Sequence, residues 1–575
     1  MVLIDRQSAY CKSVPLNVIV VVYVLIFALI FLVSCHESEG EREEVEKSPY
    51  TEEDIRHDER IKSYLLETYL CTINQVSVTA NSVKISGKYV GEGIFHLYEI
   101  PPYVDISETK DASYRVELKN SSFAIDLDRF VERDGIRYDR ILSKWAIFKE
   151  EDGVDRLVSH ARYVDEIPAL QYLEPIQLTN KKGIGGIIPN QYITDFSLLN
   201  ISSATINICI THFMFLNPRT GTIAHEYGGR TYYMDENYLK NTLDKVLLEA
   251  TKKHNISVAA IILIDPASRS ADSALGALLE HPDYDGGVYT MPNMTNLESV
   301  NCYAAALDFL AKRYSTTNNR YGRISHWIMH NEVDGARQWT DMGVKPVTVF
   351  TDTYVKSMRM CYNIVRQYNM HAEVFASFSH SWTDMANPGW YTSKEIIDLI
   401  NAYSKVEGDY QWAMAYHSYP QDLTNPCTWI DSMTYDMETK FITFKNLEVL
   451  NRWALTKDNK YKGTIKRSVW LSEAGVNSRS YSEKDLQDQA VGFAYAWKKI
   501  NALEGIDGIQ WHNWFDNKGD GACLGLRKYL DESYKGEAKP VWEVYQKAGT
   551  NEEDEYFEQF LPLIGIPDWN IVENF

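Results

Sequence analysis

Two glutamates stand where two strongly apolar segments turn polar. The segment SHWIMHNEVDG, residues 325–335, is apolar through Met329 and then presents Asn331 and Glu332. The segment SVWLSEAG, residues 468–475, is apolar through Leu471 and then presents Glu473. Two carboxyl groups that meet in one pocket can cleave a glycosidic bond, because a protonated one donates to the glycosidic oxygen while an ionised one attacks the anomeric carbon. Like charge at short range raises the pKa of one carboxyl and leaves the other low, so such a pair divides the two roles.

The elements around these glutamates predict where they lie. From residue 176 onward, short apolar strands alternate with amphipathic helices, and this alternation predicts an α/β fold, a (β/α)8 TIM barrel over residues 176–575. The eight predicted strands are KGIGGII, ATINICITHF, SVAAIILID, ISHWIMHNE, AEVFASFSH, WAMAYHSYP, SVWLSEAG and GIQWHNWFD. A doubly wound sheet is the alternative, but no glycine-rich phosphate loop follows the first strands, and GIGG at 183–186 resembles one only weakly. Since all strands of a closed barrel end at the same face, the two glutamates are expected to converge at its mouth.

An Asn-Glu pair at the end of the fourth strand, with a glutamate at the end of the seventh, resembles the retaining glycoside hydrolases of clan GH-A. The resemblance covers the whole barrel. It implies that Glu332 is the general acid/base, that Glu473 is the nucleophile, and that Asn331 hydrogen-bonds the sugar 2-hydroxyl. The chain also resembles a barrel-plus-sandwich family of bacterial lipoproteins described only as a domain of unknown function.

The sequence departs from the clan pattern at two points. Val333 and Asp334 follow the Asn-Glu pair, where many clan members have proline. The end of the second strand carries no arginine, which several clan families have, and His212 is the nearest polar candidate. These departures weaken the assignment to any particular family more than they weaken the assignment to the clan.

Further polar and aromatic residues stand at predicted strand ends. As in many clan members, Tyr416 is expected to hydrogen-bond the nucleophile. One of Trp511 and Trp514 on the eighth strand is expected to form an indole floor under the apolar face of a sugar ring. Trp511 is the favoured candidate, and the other tryptophan is then expected to lie in the core. The remaining candidates for contact with sugar hydroxyls, each of which has local packing or bonding as its alternative, are His417, His380, Trp382, His212 and Asp265.

The N-terminus resembles a bacterial lipoprotein signal over residues 1–35. Arg6 and Lys12 precede an apolar run that ends in Leu32-Val33-Ser34-Cys35, which resembles a lipobox with Cys35 as the lipidated residue. An uncleaved membrane anchor is the alternative. Residues 36–59 are predicted to be an acidic tether, either a surface-export signal or a plain linker. These features predict an outer-membrane lipoprotein with a lipid anchor, facing the cell surface or the periplasm.

Residues 60–175 contain short alternating segments separated by turns, which predict a small β-sandwich. This domain is expected either to brace the barrel or to bind glycan. The formal net charge of −21 argues against a nucleic-acid partner, because such a chain is repelled by phosphate.

No C-x-x-C pair, metal-ligand spacing or nucleotide motif was found in the sequence, so neither a metal nor a cofactor is expected. Cys209 and Cys361 fall within predicted elements and are expected to be buried thiols. The sequence therefore predicts a retaining glycoside hydrolase that acts on an extracellular polysaccharide or oligosaccharide. A non-catalytic glycan-binding surface lipoprotein and a purely structural lipoprotein are the alternatives.

Overall fold

The computed structural model describes residues 48–107 and 114–574. The predicted signal segment, Cys35 and residues 36–47 of the predicted tether lie outside the described residues. Within the described part, no helix has both the length and the apolar character that crossing a bilayer requires.

The N-terminal region forms antiparallel sheets, as predicted for a β-sandwich. Strands β1, β2 and β5 form one sheet, β4, β3, β8 and β9 form a second, and β6 and β7 form a separate hairpin. Val76, Ile85, Leu97 and Trp145 from the two larger sheets are fully or almost fully buried in one apolar core. The strands are β1 Thr72–Val78, β2 Ser82–Lys88, β3 Phe95–Ile100, β4 Arg115–Glu117, β5 Ser122–Asp128, β6 Phe130–Arg133, β7 Ile136–Asp139, β8 Lys144–Glu151 and β9 Val154–Leu157.

The structure differs from the predicted tether over residues 52–59, which belong to the helix Glu52–Leu66. The Thr51 hydroxyl accepts a hydrogen bond from the Asp54 amide and begins this helix as a capping box. Tyr64 is buried, and its hydroxyl donates to the Glu407 carboxylate at 2.8 Å. Because most of its residues are charged and exposed, this helix resembles a linker in sequence. Its few buried residues pack it against the rest of the protein.

The sandwich contacts the barrel through a buried ion pair. Lys144 of β8 donates to the Glu407 carboxylate at 2.6 Å, and both side chains are almost wholly shielded from solvent. Glu407 is the last residue of a helix that lies outside the barrel strands. This contact fixes the sandwich against the barrel wall.

The barrel is closed and has eight parallel strands, which confirms the predicted fold. Its strands follow one another as β10, β11, β15, β16, β17, β18, β19 and β20, and β10 pairs with β20 to close the ring. Strands β12 to β14 form a small antiparallel sheet in the loop after β11. The strands are β10 Lys182–Gly185, β11 Ser203–Cys209, β12 Met214–Phe215, β13 Thr222–Tyr227, β14 Arg230–Asp235, β15 Ser257–Leu263, β16 His326–Met329, β17 Val374–Phe378, β18 Trp412–Tyr416, β19 Val469–Ala474 and β20 Gly508–Trp511.

Helices surround the barrel and bury their apolar sides against it. Side-chain caps begin several of them, for example Asn296, which accepts from the Ser299 amide, and Ser482, which accepts from the Asp485 amide. Ile261, Ile328 and Phe375 fill the barrel interior below its mouth. Besides Glu52–Leu66, the α-helices of the described residues are Thr194–Leu198, Glu236–Asn241, Leu243–Leu247, Ser273–Leu279, Leu297–Arg313, Ala336–Trp339, Val347–Tyr368, Ser393–Glu407, Glu448–Leu455, Glu483–Ala502, Pro540–Lys547, Glu553–Phe557, Leu561–Ile564 and Asn570–Glu573.

Candidate active site

Glu332 and Glu473 are held by one short segment that follows β18. His417 places its Nδ1 atom 2.8 Å from Glu332 Oε1. Tyr419 donates its hydroxyl to Glu473 Oε1 at 2.9 Å. Two residues of chain span at most about 7 Å, so His417 and Tyr419 lie close together. The segment therefore joins the two glutamates at the carboxyl-terminal mouth of the barrel.

The surroundings of Glu473 favour its ionised form. Burial opposes ionisation, but the positive charges of His512 and His417 and the hydrogen bond from Tyr419 outweigh it, so the pKa of Glu473 lies below its usual range. A carboxylate that stays ionised is suited to act as a nucleophile.

His417 is fully buried beside Glu332. Burial opposes its protonation, but the negative charges of Glu473 and Glu332 outweigh that effect and raise the pKa of His417. Within the described residues, its Nε2 atom has no hydrogen-bond partner. The Nδ1 atom and Glu332 therefore form a pair that can hold a proton between them.

Asp334 is a second carboxyl group close to Glu332. It is fully buried, and its Oδ1 accepts a hydrogen bond from the Ser379 amide at 2.9 Å. Burial, together with the negative charge of Glu332, raises the pKa of Asp334 to about 7, although the bonds from Ser379 oppose this. Asp334 therefore titrates near neutral pH.

The backbone around the Asn-Glu pair is left-handed at two non-glycine residues. His330 has a φ of 62° and Glu332 a φ of 36°. Residues in this region cost on the order of 1–3 kcal/mol each and persist only where the surrounding structure holds them. The Glu332 amide donates to the Ser377 hydroxyl at 3.2 Å, and the Thr340 hydroxyl donates to the Asn331 carbonyl at 3.0 Å. These bonds fix the turn that directs Glu332 at the end of β16.

A cavity of about 420 Å³ opens beside Glu473. Its lining includes Thr205, Asn207, His512 and Asn513 as well as the Glu473 side chain. Hydroxyl, amide and imidazole groups of this kind can hydrogen-bond the hydroxyls of a polar ligand.

Tyr416 does not make the hydrogen bond that the sequence predicted. It is the last residue of β18 and is fully buried, with its ring edge-on to Trp382. The bond to Glu473 is made by Tyr419, three residues further along. The hydrogen bond predicted for Tyr416 is thus made by Tyr419, because the chain continues past the end of the strand before it turns toward Glu473.

None of the three predicted tryptophan contacts faces the cavity. Trp511, Trp514 and Trp382 are all fully buried. The Trp511 and Trp382 indoles each donate to a backbone carbonyl at 2.9 Å, and the Trp514 indole donates to the Asp195 carboxylate at 2.8 Å. Because their indole N–H groups are hydrogen-bonded inside the protein, these three tryptophans belong to the core. They do not form the predicted platform under a sugar ring.

The three other predicted site residues lie at strand ends near the mouth. His212 Nε2 lies 2.7 Å from Asp265 Oδ2. The hydrogen bond that His212 donates to Asp265, followed by its hydrogen bond with Cys209, raises the pKa of His212 to about 10. Burial lowers the pKa of His380, and the charge of Glu332 partly offsets this, which places His380 within electrostatic reach of that glutamate.

Tyr419, His512 and Asp334 are the site residues that the sequence analysis missed. A sequence signal pointed to His512 alone. Tyr419 lies past the end of β18, where strand periodicity does not show which residue reaches Glu473. His512 follows Trp511, and because successive strand side chains point to opposite faces, a buried Trp511 implies that His512 points the other way. Asp334 gave no comparable signal.

The fold and the site define a (β/α)8-barrel protein with paired glutamates at the carboxyl-terminal mouth. Residues 175–572 match the profile of the family described as "Family of unknown function (DUF5722)", and the chain belongs to that family. The comparison with curated proteins gave no match.

The chain is similar to solved structures of glycoside hydrolases at low sequence identity. A family 39 glycoside hydrolase from Bacteroides cellulosilyticus WH2 is 14% identical, with 84% of this chain and 83% of that chain covered and a TM-score of 0.42. A glucosidase from Croceicoccus marinus is 11% identical, with 66% and 69% covered and a TM-score of 0.40. A β-D-glucuronidase from Dictyoglomus thermophilum is 10% identical, with 83% and 68% covered and a TM-score of 0.33.

Proposed function

We propose that this protein is a retaining glycoside hydrolase that cleaves an extracellular polysaccharide or oligosaccharide. The observation that carries the proposal is the single segment that holds Glu332 through His417 and Glu473 through Tyr419. A retaining mechanism needs carboxyl groups about 5–5.5 Å apart. The negative charges of both glutamates act on the buried His417 ring, and this proximity is compatible with that spacing.

The reaction has two displacements. In the first, the Glu473 carboxylate attacks the anomeric carbon while Glu332 donates its proton to the leaving oxygen, which gives a glycosyl ester on Glu473 and a free alcohol. In the second, water attacks the anomeric carbon, Glu332 takes the water proton, and Glu473 leaves as the carboxylate. His417 holds Glu332 in place, and Asn331 is assigned to the sugar 2-hydroxyl.

The test compares Glu473→Gln and Glu332→Gln with the wild-type chain. Each is assayed on a panel of aryl α- and β-glycosides and of polysaccharides, and the configuration of the first product is read by proton NMR. We expect the wild type to release sugar with retained configuration. Each variant should lose at least about 100-fold in turnover, since a general acid alone contributes about 10²–10⁴.

Glu483→Gln is the matched control, because Glu483 is an exposed glutamate at the start of a helix. Turnover by both site variants at the wild-type rate contradicts the mechanism. Glycan binding without any product over long incubation supports instead a non-catalytic glycan-binding surface lipoprotein.

For the location, we propose an outer-membrane lipoprotein anchored through Cys35 and facing the cell surface. The support is the charged, apolar and Ser-Cys pattern of residues 1–35. Cys35→Ala should release the protein from the membrane fraction of cells. Protease treatment of intact cells then distinguishes the surface from the periplasm, since only a surface protein is cleaved.

A further inference from the structure

A cysteine, a histidine and an aspartate meet at the barrel mouth, at the ends of two adjacent strands. Cys209 ends β11, His212 follows it by three residues, and Asp265 follows β15 by two. The Cys209 sulfur, a His212 ring nitrogen and an Asp265 carboxylate oxygen all lie within 4.8 Å of one another. No part of the proposed hydrolytic reaction uses this group.

The three ligand types and their charges suit a zinc ion. Zinc binds thiolate sulfur, imidazole nitrogen and carboxylate oxygen, and a tetrahedral site places neighbouring ligand atoms about 3.3–3.8 Å apart. A cysteinate and an aspartate together balance the two positive charges of Zn²⁺. Three protein ligands leave a fourth position open, which is typical of sites that bind water or an exogenous ligand.

The neighbouring groups already orient these ligands. Arg269 donates to Asp265 Oδ1 at 3.2 Å, which leaves Oδ2 directed at His212. The Thr211 hydroxyl lies 3.2 Å from the Cys209 sulfur and accepts from the Asp265 amide at 3.2 Å, so its proton is available to a thiolate. Hydrogen bonds of this kind, made by groups that do not themselves ligate, orient metal ligands in proteins.

We propose that Cys209, His212 and Asp265 bind a zinc ion at the mouth of the barrel. Binding replaces the His212–Asp265 hydrogen bond, and the protons carried by the Cys209 sulfur and by the ligating nitrogen of His212 pass to solvent. The His212 side chain is 44% exposed and has room for this small movement. The inference goes beyond the proposed hydrolysis and does not depend on it.

The cluster lies at the same mouth of the barrel as the candidate active site. Cys209 is the last residue of β11, and Asn207 of the same strand lines the cavity beside Glu473. An ion held by the cluster therefore lies at the same mouth as Glu473, and its open position is available to water or to an oxygen of a bound ligand.

The test uses the full chain, freed of metal by dialysis against a chelator and then titrated with Co²⁺. Cobalt is a spectroscopic substitute for zinc, and a bound thiolate gives a charge-transfer band in the near ultraviolet. We expect that band to saturate at one Co²⁺ per chain and to disappear when Zn²⁺ displaces the cobalt. Cys209→Ser should abolish the band, and His212→Gln and Asp265→Asn should each weaken Zn²⁺ binding by at least about 10-fold in calorimetric titration.

Control variants test whether the band arises from this cluster. Cys427→Ser removes a partly exposed cysteine elsewhere and should leave the band intact. His96→Gln alters the other cluster of potential ligands in the described residues, His96, Glu150 and Asp155, which contains no thiol and should not affect the band. Glu473→Gln should lose hydrolysis but still bind Co²⁺ with wild-type affinity. Failure of the proposed hydrolysis and failure of the proposed metal site can therefore be told apart.

Two results overturn the proposal. One is the absence of a charge-transfer band in the folded wild-type chain. The other is a band that persists in Cys209→Ser, with circular dichroism showing that the variant remains folded.

Discussion

Replacing Tyr419 by phenylalanine tests how the site keeps Glu473 ionised. The change removes one hydroxyl that donates to Glu473 Oε1 at 2.9 Å and retains the ring. A hydrogen bond to a charged group contributes about 1.5–3 kcal/mol. Since one pKa unit corresponds to about 1.36 kcal/mol, the pKa of Glu473 should rise by roughly 1–2 units.

The acid limb of the kcat/KM profile reports the ionisation of the free enzyme. It should therefore move to higher pH by about 1–2 units in Tyr419→Phe. Activity should fall most below the new pKa and least at higher pH, where Glu473 is ionised in both proteins. The profile is measured on whichever aryl glycoside the wild type hydrolyses best.

Tyr416→Phe is the matched control, because Tyr416 lies three residues before Tyr419, at the end of β18, and its hydroxyl does not hydrogen-bond Glu473. Its acid limb should coincide with that of the wild type. The reasoning is refuted if the limb of Tyr419→Phe does not move, or if it moves equally in both variants while thermal melting shows both to be folded.

Three further predictions concern stability. The pKa of Asp334 is raised to about 7, so the wild type should lose stability relative to Asp334→Asn as pH rises from about 4 to 7, by up to about 4 kcal/mol. Urea unfolding at pH 4.5 and 7.5 measures this, and an unchanged difference between the two proteins would contradict it. Trp511→Phe should lower the free energy of unfolding by about 1–3 kcal/mol and leave KM unchanged, because the indole is buried in the core. A higher KM at an unchanged melting temperature would show instead that the ring contacts substrate. Glu407→Ala should cost about 3–5 kcal/mol in urea unfolding, because it leaves Lys144 buried without its carboxylate; a loss below 1 kcal/mol would mean that water reaches the ammonium group.

The barrel and its paired glutamates were predictable because burial leaves a clear pattern. A strand inside a parallel barrel is apolar on both faces, so the change from Leu471 to Glu473, or from Met329 to Asn331, marks its end. The shared direction of parallel strands then brings Glu332 and Glu473 to one mouth. This inference needs only strand order, which the sequence contains.

The identity of the supporting residues depended on finer geometry. Past the end of β18 the chain is no longer a regular strand, so its periodicity does not show whether Tyr416 or Tyr419 reaches Glu473. At the end of β20, a shift of one residue decides whether Trp511 or His512 faces the cavity. Since an aromatic ring and an imidazole are both plausible beside a sugar, residue type alone gave the wrong choice.

The left-handed backbone at Glu332 has a consequence for how the protein evolves. Glycine adopts this conformation without the steric cost that a side chain carries. Glu332→Gly should therefore unfold at a temperature close to or above that of the wild type, whereas Glu332→Ala should not gain this relief. If selection acted on thermal stability alone, glycine would be favoured at this position, although the glycine protein would be inactive. Glutamate at this turn in natural relatives would therefore indicate selection for catalytic activity.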